Sequence, residues 1–288
     1  MKEELHNDKA WTMVISPKKK VFDLNIKETL RYKDLIWMFF KRNYNAQYKQ
    51  TILGPIWFIL NPLLTTLIFT IVFGGVAKTN THESVVPNFL FYMAGNTLWA
   101  YFSYCLTNTS STFTANSAIF GKVYFPRITV PVSTCMFGLL SFFIQLAMFV
   151  VFYIVCLVMG VGSMVPNWAL LLMPLLILEI AMMGFGLGVI IASVTTKYRD
   201  LAVLVTFGVQ LLMYATPVIY EAPAGGVLSV ILKINPLSSI FDIFRYSFFG
   251  TGQICLWQFV YTLIAAAVIF FCSIALFNKV EKSFRDVI

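Results

Sequence analysis

The side chains that could do chemistry in this sequence are few and far apart. Glu179 lies near the middle of a long apolar segment and is the only carboxylate inside any such segment. An ionisable residue at that depth is either functional or a hydrogen-bonded contact between helices, and one carboxylate alone does not form a proton relay. His6 and His82 are the only histidines, so no histidine-based metal site is predicted.

Motif-based chemistry is missing as well. There is no GxxxxGK[ST] loop to hold phosphates, so the chain is predicted to bind no cofactor and to hydrolyse no ATP itself. A membrane glycosyltransferase would need clustered carboxylates near the lipid headgroups, and the sequence has none. The cysteines are interpreted as small buried hydrophobes, because their spacing fits neither a metal site nor a disulfide framework. They are Cys105, Cys135, Cys156, Cys255 and Cys272.

The elements around these residues are predicted to be membrane-spanning helices. Residues 50–77, 128–178 and 201–220 form runs of 28, 51 and 20 residues without a charge. The whole chain is 59% hydrophobic and 12% charged. A hydrocarbon core needs roughly 20 apolar helical residues to cross it, and irregular backbone cannot face lipid. The sequence therefore predicts an all-α integral membrane protein.

The distribution of basic residues predicts the orientation of this protein. Six spans are expected, and with both termini in the cytoplasm 18 of the 21 Lys and Arg lie on the cytoplasmic side. This bias is typical of a multi-pass inner-membrane protein and explains the net charge of +8 without nucleic acid. The predicted spans are 54–76, 88–107, 131–159, 168–194, 202–220 and 256–277.

The segments outside these spans have their own expected structures. Residues 1–26 are predicted to be a flexible cytoplasmic N-terminus, and 279–288 a cytoplasmic tail. Residues 27–52 are predicted to form an amphipathic helix that lies in the membrane interface. Its apolar stripe is Tyr32, Leu35, Ile36, Phe39 and Phe40. Its basic residues at headgroup level could attract a diphosphate or simply anionic lipid, and they are Lys41, Arg42 and Lys49.

The last outer segment is long and largely apolar, yet it is broken by proline and glycine. Residues 227–234 and 237–249 are too short to cross the membrane. They are predicted to be re-entrant or interfacial helices, and a lid over an exit is the preferred interpretation. A membrane protein without a catalytic constellation suggests either the membrane subunit of an ATP-driven exporter or a secondary transporter. The second should show coupling-ion residues and repeat symmetry, which the sequence lacks.

Four motifs resemble the permeases of type-2 ABC exporters, and specifically their polysaccharide-export branch. Residues 48–57 (YKQTILGPIW, followed by NPL) are similar to the family's signature at the start of the first span. Residues 122–127 (KVYFPR) and 197–201 (KYRDL) resemble its two cytoplasmic loop motifs. Residues 280–288 (VEKSFRDVI) resemble its C-terminal motif. The four occur in the family's order between residues 48 and 288.

This resemblance implies a function and partners. Residues 53–278 would be the six-span membrane domain of a permease subunit, and two copies would form the pore. Two separate nucleotide-binding subunits would bind ATP and Mg. The cargo would be a lipid-diphosphate-linked polysaccharide similar to O-antigen, exported across the inner membrane. The alternative is a type-2 ABC permease for lipids or drugs.

Two groups of residues are expected to serve export. Cytoplasmic loops 109–127 and 195–201 should dock the ATPase; plain positive-inside anchoring would explain their arginines but not Asp200. The coupling candidates are Lys122, Arg127, Tyr198, Arg199 and Asp200. Aromatic rings on the first and fifth spans could contact sugar faces, although packing or lipid contact would explain any single ring. The pore-lining candidates are Phe58, Phe69, Phe73, Phe207, Gln210 and Tyr214.

Overall fold

The computed structural model describes residues 29, 31–49, 54–78, 86–120, 122, 125–195, 201–222, 225–252 and 254–283. All regular elements among them are helical, which confirms the predicted all-α class. The α-helices are α1 (Lys33–Tyr48), α2 (Trp57–Phe69), α3 (Asn88–Ser110), α4 (Thr112–Ala115), α5 (Ser117–Phe120), α6 (Thr129–Val158), α7 (Met173–Thr195), α8 (Leu201–Tyr214), α9 (Val227–Ile234), α10 (Pro236–Phe249) and α11 (Leu256–Ser283). A 3₁₀ turn (Gly54–Ile56) precedes α2, a π-helical segment (Thr70–Val76) follows it, and a second 3₁₀ turn (Trp168–Leu172) precedes α7.

Four helical segments in the described part of the chain are long and apolar enough to cross a membrane. They are Gly54–Val76, Thr129–Val158, Trp168–Thr195 and Leu256–Lys279. Helices α9 and α10 meet at an angle of 93° and would add a fifth crossing if they formed one broken span. A multi-pass membrane protein is therefore confirmed, whereas the count of six spans stays a prediction.

Helix α3 is the centre of the bundle, packing against α2, α6, α7 and α8. Glycines on α7 allow a close approach to α3. A Cβ added to Gly188 would lie 2.7 Å from Cβ of Thr109 and 2.9 Å from the carbonyl oxygen of Leu106. One α7 turn earlier, a Cβ on Gly184 would lie 2.8 Å from Cβ of Cys105. Two small residues four apart thus bring the backbones of α3 and α7 together, as is common between membrane helices.

Helix α8 is shorter than the predicted fifth span, 202–220. Helix α8 ends at Tyr214, and the chain then turns through residues 215–218. Pro217 has no N–H to bond to the carbonyl of Met213, and a proline disfavours helical backbone in the residue before it. The side-chain amide of Asn235 covers this turn, because its nitrogen donates to the carbonyl of Ala215 at 2.8 Å.

The two short helices predicted in the last outer segment are present, and α10 begins one residue earlier than expected. The side chain of Asn235 accepts a hydrogen bond from the N–H of Leu237 and so caps α10, with Pro236 as its first residue. At the other end of α10, the amide of Asn167 donates to the carbonyl of Tyr246 at 3.0 Å. The hydroxyl of Tyr153 donates to the carbonyl of Phe248 at 2.6 Å. Both ends of α10 therefore find partners inside the protein.

The N-terminal helix packs on the bundle with its predicted apolar stripe. Phe39 is only 3% exposed, and the ring of Phe40 lies 6.0 Å from that of Phe137 on α6. Trp37 and Met38 remain about half exposed on the opposite side. The N-terminus 1–26 and parts of 27–52 lie outside the described residues. Helix α11 continues to Ser283, so the first half of the predicted tail, 279–288, is helical.

Candidate functional site

The two loops expected to dock an ATPase start from the same end of the bundle. The hydroxyl of Thr195, the last residue of α7, donates to the carbonyl of Ser110, the last residue of α3, at 3.3 Å. The short helices α4 and α5 begin at this point, and residues 196–200 connect α7 to α8. Three of the coupling candidates, Tyr198, Arg199 and Asp200, lie outside the described residues.

The other two coupling candidates differ in their surroundings. Lys122 is an exposed turn residue. Arg127 is half-buried, and its guanidinium carbon lies 5.6 Å from the ring centroid of Phe120, the last residue of α5. This cation–π contact ties the loop before α6 to α5. Lys122 is thus accessible to a partner, while Arg127 also serves the loop's own fold.

The basic residues of α1 do not act as one cluster. The guanidinium of Arg42 donates to Oδ1 of Asn116, between α4 and α5, at 2.9 Å, and also lies 4.8 Å from the ring of Phe39. Arg42 therefore joins α1 to the candidate coupling loop, a role that sequence spacing did not reveal. The ammonium of Lys41 lies 5.6 Å from the ring of Trp37, and Lys49 is exposed near the end of the helix. These two lysines remain accessible to headgroups.

The three candidate rings of the first span pack inside the protomer. Phe58 is 4% exposed, and its ring lies 6.0 Å from that of Phe137. Phe69 and Phe73 are half-buried and lie edge to face at 5.7 Å. The ring of Phe73 also lies 6.4 Å from the ring of Tyr92 on α3, centroid to centroid. Packing explains these rings without a pore.

The three candidates of the fifth span are all on the surface of α8. Phe207 and Tyr214 are 58% and 59% exposed, and Gln210 is exposed between them. An amide and two rings on an otherwise apolar face, open to whatever lies beside the protomer, form the strongest candidate here for a surface that contacts a second copy or the cargo.

Glu179 is fully buried in α7. Neither oxygen of its carboxylate has a hydrogen-bond partner among the described residues, so the interhelical hydrogen bond considered for it is not found. A buried carboxyl group without a partner is costly to hold in an apolar surrounding.

The most elaborate polar site lies at the other end of the bundle, around Arg245 on α10. Its guanidinium donates to the carbonyl of Val218 at 2.7 Å and to that of Tyr220 at 3.1 Å. It also lies 3.9 Å from the ring centroid of Phe91 on α3. Gly95, also on α3, leaves room for the Val218 carbonyl, because an added Cβ would collide with its oxygen. Sequence reasoning did not single out Arg245 and missed this role.

A multi-pass helical bundle with packed loops at one end and an internally bonded pair of short helices at the other defines a membrane-embedded transport domain. The chain belongs to the ABC-2 type transporter family, whose pattern matches residues 34–249. Members of this family work with ABC nucleotide-binding subunits, so a transport subunit rather than a self-contained enzyme is indicated.

Similar proteins carry the same description in two organisms. The chain is 27% identical over 270 residues to an O-antigen export system permease protein RfbA of Klebsiella pneumoniae, covering 92% of this chain and 99% of that protein. A second Klebsiella pneumoniae RfbA is 28% identical over 262 residues, covering 88% and 95%. An RfbA of Myxococcus xanthus is 28% identical over 228 residues, covering 78% and 84%.

Proposed function

We propose that this chain is the permease subunit of an ATP-driven exporter that moves a lipid-linked, O-antigen-like polysaccharide across the inner membrane. The observation that carries the proposal is the similarity to O-antigen export permeases over nearly their whole length. ATP and Mg are bound by separate nucleotide-binding subunits in this proposal, and the lack of a phosphate-binding loop in this sequence supports it. Two copies of the chain form the pore.

In the membrane, we propose six crossings with both termini in the cytoplasm. Helix α3 has 23 residues and is long enough for one of them, although its buried polar residues lower its hydropathy. Helix α8 has 14 residues, so its crossing is completed by residues 215–222. Their irregular backbone is tolerated at membrane depth because Asn235 and Arg245 bond its carbonyls. Helices α9 and α10 re-enter the outer leaflet beside it, and α1 lies at the inner interface.

The exposed face of α8 is the part of the protomer that we assign to the translocation path. A polymer has to slide, so each contact should be weak and replaceable by the next. Aromatic faces suit this because stacking tolerates changes of register, whereas an unpaired buried charge would cost several kcal/mol. Phe207, Gln210 and Tyr214 offer such contacts, and Phe58, Phe69 and Phe73 support the wall from within the protomer.

Export can be tested in cells that synthesise the glycan but lack this chain. Restoring the chain together with its nucleotide-binding subunits should restore glycan at the cell surface, and either component alone should not. Surface glycan is measured by labelling intact cells, with total glycan from lysed cells as the control for synthesis. Restored ATPase activity with accumulation of glycan inside would contradict a polysaccharide cargo and favour the lipid or drug alternative.

Arg199→Ala and Asp200→Ala should each uncouple ATP hydrolysis from export. The physical reason is that a charged connection of five residues between α7 and α8 can transmit force only to a partner docked against it. The measurement is surface glycan at matched membrane levels, together with co-purification of the nucleotide-binding subunits. Lys78→Ala, a charge placed on the opposite side of the membrane, is the matched control. Normal export by both variants would mean that this connection does not couple ATP hydrolysis to export.

A further inference from the structure

A half-open cavity of about 370 Å³ lies at the end of the protomer that carries α1. It is lined by the last turn of α1, the first half of α2, the second half of α3 and the first half of α6, and Gln47, Trp57, Asn61 and Asn108 are exposed at its opening. Its volume is at the lower end of the range for small-ligand sites in proteins. It does not include the exposed face of α8.

The lining of this cavity combines amides, hydroxyls and aromatic rings. Four side-chain amides contribute, from Gln47, Asn61, Asn108 and Gln145. Trp57 and Phe58 supply ring faces, and no Lys, Arg, Asp or Glu is among the lining residues. Each amide offers both a donor and an acceptor, which is what a ligand with several hydroxyl groups requires.

Gln145 is the most buried of the amides in the lining. It is only 7% exposed, and its amide nitrogen donates to the hydroxyl of Ser141 at 3.2 Å. Its amide oxygen is buried and has no hydrogen-bond partner among the described residues. A buried acceptor without a donor is costly, so a hydroxyl donor that reached it from the cavity would bind with a gain in free energy.

We propose that this cavity is a binding site for one neutral sugar residue of the exported polysaccharide. This inference rests on the proposed function. The amides pair with the sugar hydroxyls, and the rings of Trp57 and Phe58 stack on its apolar C–H face. Each protomer thus holds a sugar beside the start of α2 before the polymer passes along the translocation path.

Two other parts of the cargo do not fit the cavity. A diphosphate is recognised by Arg, Lys or a metal ion, and no cationic side chain lines this site. A hydrocarbon chain would leave the amides of Asn61 and Gln145 without partners in an apolar surrounding. The neighbouring cavity of about 480 Å³, lined almost entirely by apolar side chains such as Leu139 and Phe185, suits hydrocarbon far better.

The site can be tested on the purified transporter complex in nanodiscs by tryptophan fluorescence, because Trp57 lines the cavity. The probes are neutral trisaccharides of mannose, galactose and N-acetylglucosamine, with inorganic diphosphate and a short-chain phosphatidylcholine as the charged and lipid alternatives. Trp57→Phe identifies the signal that arises at the cavity. Asn61→Leu and Gln145→Leu remove an amide each at nearly constant size. Thr65→Val is the control, since Thr65 is one turn further along α2 and does not line the cavity.

We expect a saturable change with at least one trisaccharide and none with diphosphate or lipid. Asn61→Leu and Gln145→Leu should each weaken binding up to about tenfold, the effect of one lost hydrogen bond, while Thr65→Val leaves it unchanged. Saturation by diphosphate or lipid, no saturation by any trisaccharide, or equal weakening in Thr65→Val would overturn the proposal. The proposed function is tested separately by export of glycan in cells that carry the unaltered chain. The two tests can fail independently, because saccharide binding is measured without transport.

Discussion

Arg245→Ala should lower the folding stability of the protein substantially. Two carbonyls, those of Val218 and Tyr220, lose their donor, and lipid cannot replace it. Each buried polar group left without a partner costs about 1–3 kcal/mol, so the pair amounts to about 2–6 kcal/mol, before the lost contact with Phe91 is counted. Folded proteins are stable by only about 5–15 kcal/mol.

The measurement for this variant is the melting temperature of the detergent-purified chain and the fraction that remains monodisperse. Lys233→Ala is the matched control, because Lys233 is an exposed cation on the neighbouring helix α9. Arg245→Lys should fall between the two, since an ammonium is a point donor that cannot span both carbonyls as a guanidinium does. If Arg245→Ala has the same melting temperature as Lys233→Ala, the two hydrogen bonds contribute nothing to stability.

Gly95→Val should have an effect of similar size at the same place, by a steric route. The first atom of any side chain at Gly95 would collide with the carbonyl oxygen of Val218 and would lie 3.1 Å from a guanidinium nitrogen of Arg245. The obstacle is backbone, which cannot rotate away, so the turn after α8 has to move off α3. Overpacking of this kind costs about 1–3 kcal/mol or more, and here it also disturbs the hydrogen bonds of Arg245.

Gly208→Val provides the comparison, because Gly208 is also helical and nothing lies within 4 Å of its added Cβ. Its melting temperature should stay near that of the unaltered chain. Since Gly95 and Arg245 act on the same carbonyl, the double variant should lose less than the sum of the two single losses. Additive losses would mean that the two residues stabilise the protein independently.

The sequence was a good guide wherever local hydropathy determines the structure. The first span was predicted at 54–76 and is found at Gly54–Val76, because charges close to both ends of that run limit it. Hydropathy did not show where helix α8 ends, since the apolar run continues past Pro217 while the helix stops at Tyr214. A proline alone does not decide this, because Pro62 lies inside α2.

The polar contacts were beyond sequence reasoning for a different reason. Arg42 and Asn116 are 74 residues apart, and Arg245 and Val218 are 27 apart. Nothing in a single sequence states which distant carbonyl a buried guanidinium will reach, because that depends on how the helices pack. The cavity that we assign to a sugar is assembled from four helices and was invisible for the same reason.

The hydrogen bonds at both ends of α10 restrict how this end of the helical bundle can open. At its start Asn235 holds the turn after α8, and at its end Asn167 and Tyr153 hold it to the connection between α6 and α7 and to α6 itself. A hinge at either end would expose several amides and carbonyls at once. Helix α10 should therefore move together with α6 and the turn after α8 as one rigid body. Slow hydrogen exchange of the amides throughout α10 would show this.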